Sequence, residues 1–111
     1  MKSLTEIRNE LLQIRYYHIR KKAIDYSLGF TGQIEMMKVV DLYNQTIKLT
    51  KSFKLYDIYT SLYIHNQTQA SLAEKFGCST ENIQKFHKKL LLFFQKNIND
   101  KENIWEKKLI F

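Results

Sequence analysis

TQASLAEKFGCSTENIQKFHKKLLLFF (Thr68–Phe94) places two apolar-periodic segments on either side of one glycine. A helix-turn-helix needs a small residue where its helices cross, a residue that tolerates positive φ in the turn, and apolar residues at fixed places on both arms. Counting from Gln69, Ala73 is fifth and Gly77 ninth. Leu72 and Phe76 fill the buried positions of the first arm, and Cys78 is the small apolar residue after the turn. Ile83 and Phe86 face back from the second arm, and Ser79 is its N-cap. All seven slots hold a suitable residue.

If the second arm lies in a major groove, its outward residues meet base edges. These are Thr80, Glu81, Gln84, Lys85 and Lys88, with Asn82 beside them. Gln and Asn pair bidentately with adenine, Glu accepts from cytosine, Thr meets the thymine methyl, and Lys reaches guanine or phosphate. Lys75, Ser79, His87 and Lys89 are the candidates for phosphate contacts, which position without specifying. The plain alternative for each is a polar side chain on a solvated helix.

Outward from this stretch the chain reads as all-α. It has no proline and only three glycines in 111 residues, so helices have few internal breakers. Ser3 with Glu6 spells a capping box for a first helix extending to about Leu28, with Leu4, Ile7, Leu11, Ile14 and His18 on one face. Leu12, Tyr16 and Ile19 widen that face. Gly29 reads as a stop and Thr31-Gly32 as a turn. A second helix is expected from about Gln33 to Lys51, with Ile34, Met37, Val40 or Asp41, and then Leu42, Ile47 and Leu49 as a looser stripe. Ser52 caps a third, FKLYDIYTSLYIHN, buried through Leu55, Ile58, Tyr59 and Leu62. The fifth helix is expected to stop near Gln95, with NIND at 97–100 as a turn. The expected organisation is a helical hairpin over 1–51 for packing or dimerisation, a three-helix helix-turn-helix unit over 52–96, and a tail over 97–111.

Composition narrows the partner. The net charge is +7. Residues 1–30 carry six basic and three acidic side chains, and residues 67–96 carry five and two. Such an excess favours an anionic partner. Arg15, Arg20, Lys21 and Lys22 form a basic cluster on the first helix that fits phosphates, an acidic protein surface, or solvent alone. No apolar run reaches the ~18 residues of a membrane span, and MKSLTEIRNE lacks a signal-peptide core. With Cys78 the only cysteine, a reducing cytoplasm is the expected compartment.

Catalytic patterns are absent. His18, His65 and His87 have no ligand-spaced companions, so no metal is expected. Gly29 and Gly32 do not make a phosphate loop, and no cofactor is implied. Cys78 fits burial better than nucleophilic chemistry. The many aromatics, including Phe53, Tyr56, Tyr59, Phe76 and Phe86, fall on apolar stripes and read as core rather than as single-strand stacking platforms. No enzyme is expected.

CSTENIQKFHKKLLLFF resembles the end of sigma-factor region 4, which reads the promoter −35 element. Ser79, Glu81, Ile83, Lys85, Phe86 and Leu90 fall in step with that pattern, while Thr80 and Gln84 stand where the family usually has arginines. FHKKLLLFF is similar to a stretch of the late transcription regulators of the ArpU and RinA kind from Gram-positive phages and mobile elements. The resemblance covers roughly residues 53–95. It implies a transcription regulator that binds double-stranded DNA, with RNA polymerase and a second copy of the chain as further partners. Two rivals stay open: a phage-type protein that binds and inhibits a host complex on the same frame, and a helical adaptor.

Overall fold

The computed structural model describes the backbone of residues 1–20 and 29–110 and the side chains of residues 1–20 and 35–100. The described residues are all-helical, with five α-helices: α1 (Leu4–Ile19), α2 (Gly29–Ile47), α3 (Phe53–Tyr59), α4 (Gln69–Phe76) and α5 (Thr80–Ile110). A helical hairpin followed by a helix-turn-helix is compatible with this order. No described helix is long and apolar enough to cross a membrane.

Local chemistry starts α1, α3, α4 and α5. Ser3 caps α1, accepting from the Glu6 N–H at 3.2 Å. Ser52, Thr68 and Ser79 do the same for Leu55, Ser71 and Asn82 at 3.3, 3.0 and 3.2 Å. Each cap satisfies one of the N–H groups that a helix leaves open at its first turn.

Packing then selects the phase of each helix. On α1, Ile7, Leu11, Ile14 and Tyr17 are buried. Leu12, Tyr16 and Ile19, expected to widen that face, are exposed. The seam steps by four, three and three, and that phase leaves the neighbouring apolar row outside. On α2, Val40, Tyr43, Thr46 and Ile47 are buried, whereas Met37 is exposed, as is Leu49 beyond the helix's end at Ile47. Tyr43, Tyr59 and Phe94 bring α2, α3 and α5 together, with Phe94 centred 4.8 Å from Tyr43 and 5.4 Å from Tyr59. The Tyr59 hydroxyl donates to Asn44 Oδ1 at 2.6 Å, and burial first, then Tyr56, pushes its ionisation far up.

Three boundaries differ from expectation. Gly29 opens α2 instead of stopping a helix, and Thr31-Gly32 lies within that helix. A helical glycine costs about 1 kcal/mol relative to alanine, less than burial of Tyr43, Val40 and Ile47 returns. The expected end of the first helix near Leu28 lies outside the described residues. The third helix does not stay α to its end: Thr60–Ile64 widen into a π-helical turn, marked by the His65 N–H donating to the Thr60 carbonyl at 2.9 Å. The wider turn accompanies three successive buried residues, Ser61, Leu62 and Tyr63.

The third difference is at residues 97–100, which continue α5 and form no turn. Asn, Ile, Asn and Asp together cost roughly 2 kcal/mol of helix propensity relative to alanine. Against this, Ile98 is fully buried, worth about 1.5–3 kcal/mol. Asn97 donates to the Phe93 carbonyl at 2.8 Å. Asn99, itself buried, accepts from the Lys2 N–H at 2.7 Å and donates to the Lys2 carbonyl at 3.1 Å. This clasp fastens the segment before α1 to the middle of α5. Lys2 Nζ lies 2.7 Å from Glu10 Oε1, adding an ion pair at the same corner.

Candidate nucleic-acid interface

The turn between α4 and α5 is built from backbone hydrogen bonds. Gly77 sits at φ 64° and ψ 38°, the left-handed region. The Cys78 N–H donates to the Ala73 carbonyl at 2.9 Å, and the Gly77 N–H to the Glu74 carbonyl at 3.2 Å. Those two bonds make a Schellman motif. A Cβ at Gly77 would meet nothing within 4 Å, so the requirement for glycine is conformational rather than steric. Leu72, Ala73 and Ile83 are buried in the angle between the arms, and Phe76, Cys78 and Phe86 pack at its edge half-buried.

With those residues turned inward, the opposite side of α5 is open. Thr80, Glu81, Gln84, Lys85 and Lys88 are all exposed, as is Asn82. Ser79 and Lys89 are exposed beside them. Lys89 Nζ lies 5.1 Å from the Phe86 ring centroid, and Lys54 Nζ from α3 lies 4.4 Å from the same centroid. A shallow groove of about 460 Å³ follows Asn82, Lys85, Phe86, Lys88, Lys89 and Leu92. Lys75 projects from the end of α4, with its Nζ 3.7 Å from Asp57 Oδ1, a loose surface pair of little net stability.

His87 differs from the other phosphate candidates. It is half-buried, its Nε2 is hydrogen-bonded to the Tyr63 hydroxyl, and the two rings stack with centroids 5.9 Å apart. Burial, and then the positive charge of Arg8, hold the ring below its usual pKa of 6.5. Tyr63 is pushed up to about 12 by burial, against the opposing pull of Arg15 and Arg8. Both shifts favour the neutral forms, which makes Tyr63 the donor and His87 the acceptor.

Sequence reasoning passed over Arg8. It faces His87 and Gln69 across a cleft whose other walls are Leu4, Gln84, Lys88 and Leu91. Its signal was its position one residue after Ile7, on the edge of the buried seam, where a long side chain reaches the next helix. Of the first-helix cluster, Arg15 donates from Nε to Asn66 Oδ1 at 2.8 Å, and Arg20 lies over the Tyr16 ring at 5.7 Å. Lys21 and Lys22 lie outside the described residues. Phe53 and Tyr56, expected in the core, are exposed, and Phe53 is 92 % open to solvent.

Among the described residues no three His, Cys, Asp or Glu side chains gather as metal ligands. Compared with protein-family models, curated proteins and solved structures, the chain matches none.

Proposed function

We propose that the chain is a sequence-specific duplex-DNA-binding transcription regulator of the phage or mobile-element kind, acting in the cytoplasm without catalysis. The amino half of α5 would lie in the major groove. The observation that carries this reading is the combination of a turn closed on a left-handed Gly77 with an α5 face on which Thr80, Glu81, Gln84, Lys85 and Lys88 are all exposed. The likeness to sigma-factor region 4 supports RNA polymerase as a further partner. A second copy of the chain is the other: paired half-sites multiply affinity, and Leu12, Tyr16 and Ile19 form an exposed apolar row on α1.

The lysines supply the salt-sensitive part of binding, and Gln84 supplies discrimination. Gln84→Ala reduces the preference for the best site by about 1–3 kcal/mol. Lys88→Ala weakens binding to all duplexes alike and lowers the salt slope by about 0.9. Equal effects of the two substitutions on specific and random duplexes contradict base reading by α5.

One observation favours a second reading, a protein that binds and inhibits a host complex. Phe53, Leu49 and Tyr56 are 92 %, 57 % and 43 % exposed. Phe53 and Tyr56 border a groove of about 410 Å³ with Lys48 and Lys51. An exposed aromatic among lysines is the kind of surface an acidic protein partner covers. The mark of this reading is a stable stoichiometric protein complex together with weak duplex binding that lacks a motif.

A further inference from the structure

Two clefts meet beside the helix-turn-helix. One is lined by Arg8, Gln69, Gln84, His87, Lys88 and two leucines. The other, about 350 Å³, holds Arg8, Arg15, Tyr63, Gln67, Thr68 and His87 among its walls. Arg8, Gln69 and His87 belong to both, so the two clefts adjoin and together make a channel from Gln84 and Lys88 of α5 to Arg15 of α1.

Several features set this channel apart. Neither lining contains a carboxylate, although Arg8, Arg15 and Lys88 all contribute cationic side chains. Arg8 makes no ion pair among the described residues and is exposed. Arg15 is held through Nε by Asn66, a residue at φ 54°, and this bond leaves the paired terminal nitrogens for a second partner. Arg8 and Arg15 stand seven residues apart, two helical turns along one face of α1. The amino end of α4, capped by Thr68, opens into the same channel, and its dipole adds to the positive potential there. Arg15 and Arg8 both act electrostatically on Tyr63, and Arg8 also on His87. Clustered cations without internal counter-charge bring in an external anion.

We propose that this channel is a second nucleic-acid contact: Arg8 and Arg15 of α1 grip phosphates of the duplex strand flanking the bases that α5 reads. The proposal rests on the DNA-binding reading of α5 and extends the footprint to the first helix. The channel reaches α5 at Gln84 and Lys88, so a backbone leaving the groove at those residues runs onto Arg8 and then Arg15. Guanidinium groups suit this because each can hold a phosphate bidentately. The contact positions the protein and carries no sequence information.

The test is the salt dependence of duplex binding by the full chain, measured with the selected site and with a random duplex. Arg8→Gln is the clean variant, because Arg8 is exposed and makes no ion pair or side-chain hydrogen bond among the described residues. Arg15→Lys keeps the charge but loses the Asn66 bond, which separates loss of charge from loss of the local turn. The expected result is a salt slope lower by about 0.9 for Arg8→Gln and about 1.8 for Arg8→Gln with Arg15→Gln. Affinity falls equally on both duplexes, and the recovered motif is unchanged. Arg15→Lys retains most of the slope. A wild-type slope in the double variant, with Lys88→Ala still lowering it, overturns the channel and leaves α5 as the sole contact. Failure of the wild-type chain to retain any duplex overturns both.

Discussion

At the scale of single residues, the pair Tyr63–His87 ties the surface to the core. His87 was legible in the sequence as a residue of the second arm, but not as a half-buried one. It follows Phe86 and precedes two lysines, and nothing in that string shows that Tyr63, 24 residues earlier, waits opposite. Its depressed pKa gives a directional prediction. The unfolded ring takes up a proton near pH 6.5, whereas the folded ring resists until lower pH. Between those values the unfolded chain binds more protons, so stability falls as pH falls through 6.5 and levels off below the folded value. The slope is bounded by about 1.4 kcal/mol per pH unit, and residual solvent access lowers it. His87→Gln keeps an acceptor for Tyr63 and removes the titration. Denaturant unfolding at a series of pH values is expected to show a flatter profile for this variant than for the parent between pH 7 and 5. Parallel profiles contradict the lowered pKa of the half-buried ring. The aromatics teach the same lesson from the other side. Phe53 and Tyr59 both sit on apolar-looking positions of α3, yet Tyr59 is fully buried and Phe53 open to solvent. Residue type alone does not separate them; the direction from which α5 approaches does.

At the scale of elements, the short-range rules were the reliable ones. Ser3, Ser52 and Ser79 all cap helices as expected, because a cap depends only on the next three residues. Gly77 was legible for the same reason, since a Schellman turn is closed by bonds to residues three and five positions back. What failed were breaks inferred from polar or glycine-containing strings. NIND continues α5 because Ile98 is buried in the core and Asn99 is hydrogen-bonded to Lys2, 97 residues away in sequence. The π-helical turn after Tyr59 had no legible signal, because an extra residue per turn leaves no mark in composition. The αL turn gives a prediction that belongs to the element. Gly77→Ala is expected to destabilise the fold by about 1–2 kcal/mol, the cost of a Cβ in the left-handed region. Gly77→Asn is expected to cost less, since asparagine tolerates that region. Thermal unfolding of the two variants checks the order. An alanine variant as stable as the parent contradicts a strained-φ requirement, because a Cβ there meets no neighbour.

At the scale of the whole molecule, charge placement rather than charge total carries the functional account. The sequence placed basic excess in the first helix and in Thr68–Phe94, but it could not place the two side by side. The fold brings Arg8 of α1 to Gln69 of α4 and to Gln84 and Lys88 of α5, because the seam of Ile7, Leu11 and Ile14 is buried against the neighbouring helices. The candidate base-reading row was legible because it is what remains on α5 once Ile83, Phe86 and Leu90 turn inward. The channel was not, since it is assembled from α1, the π-helical turn, α4 and α5. The central claim, that α5 reads bases, is tested most directly by selection of bound duplexes from a random pool at two salt concentrations, with the parent chain and a Gln84→Ala, Lys85→Ala variant. The account predicts a motif recovered by the parent at both salts and lost in the variant, which keeps residual salt-sensitive retention. Salt-sensitive retention by the parent without a motif contradicts it.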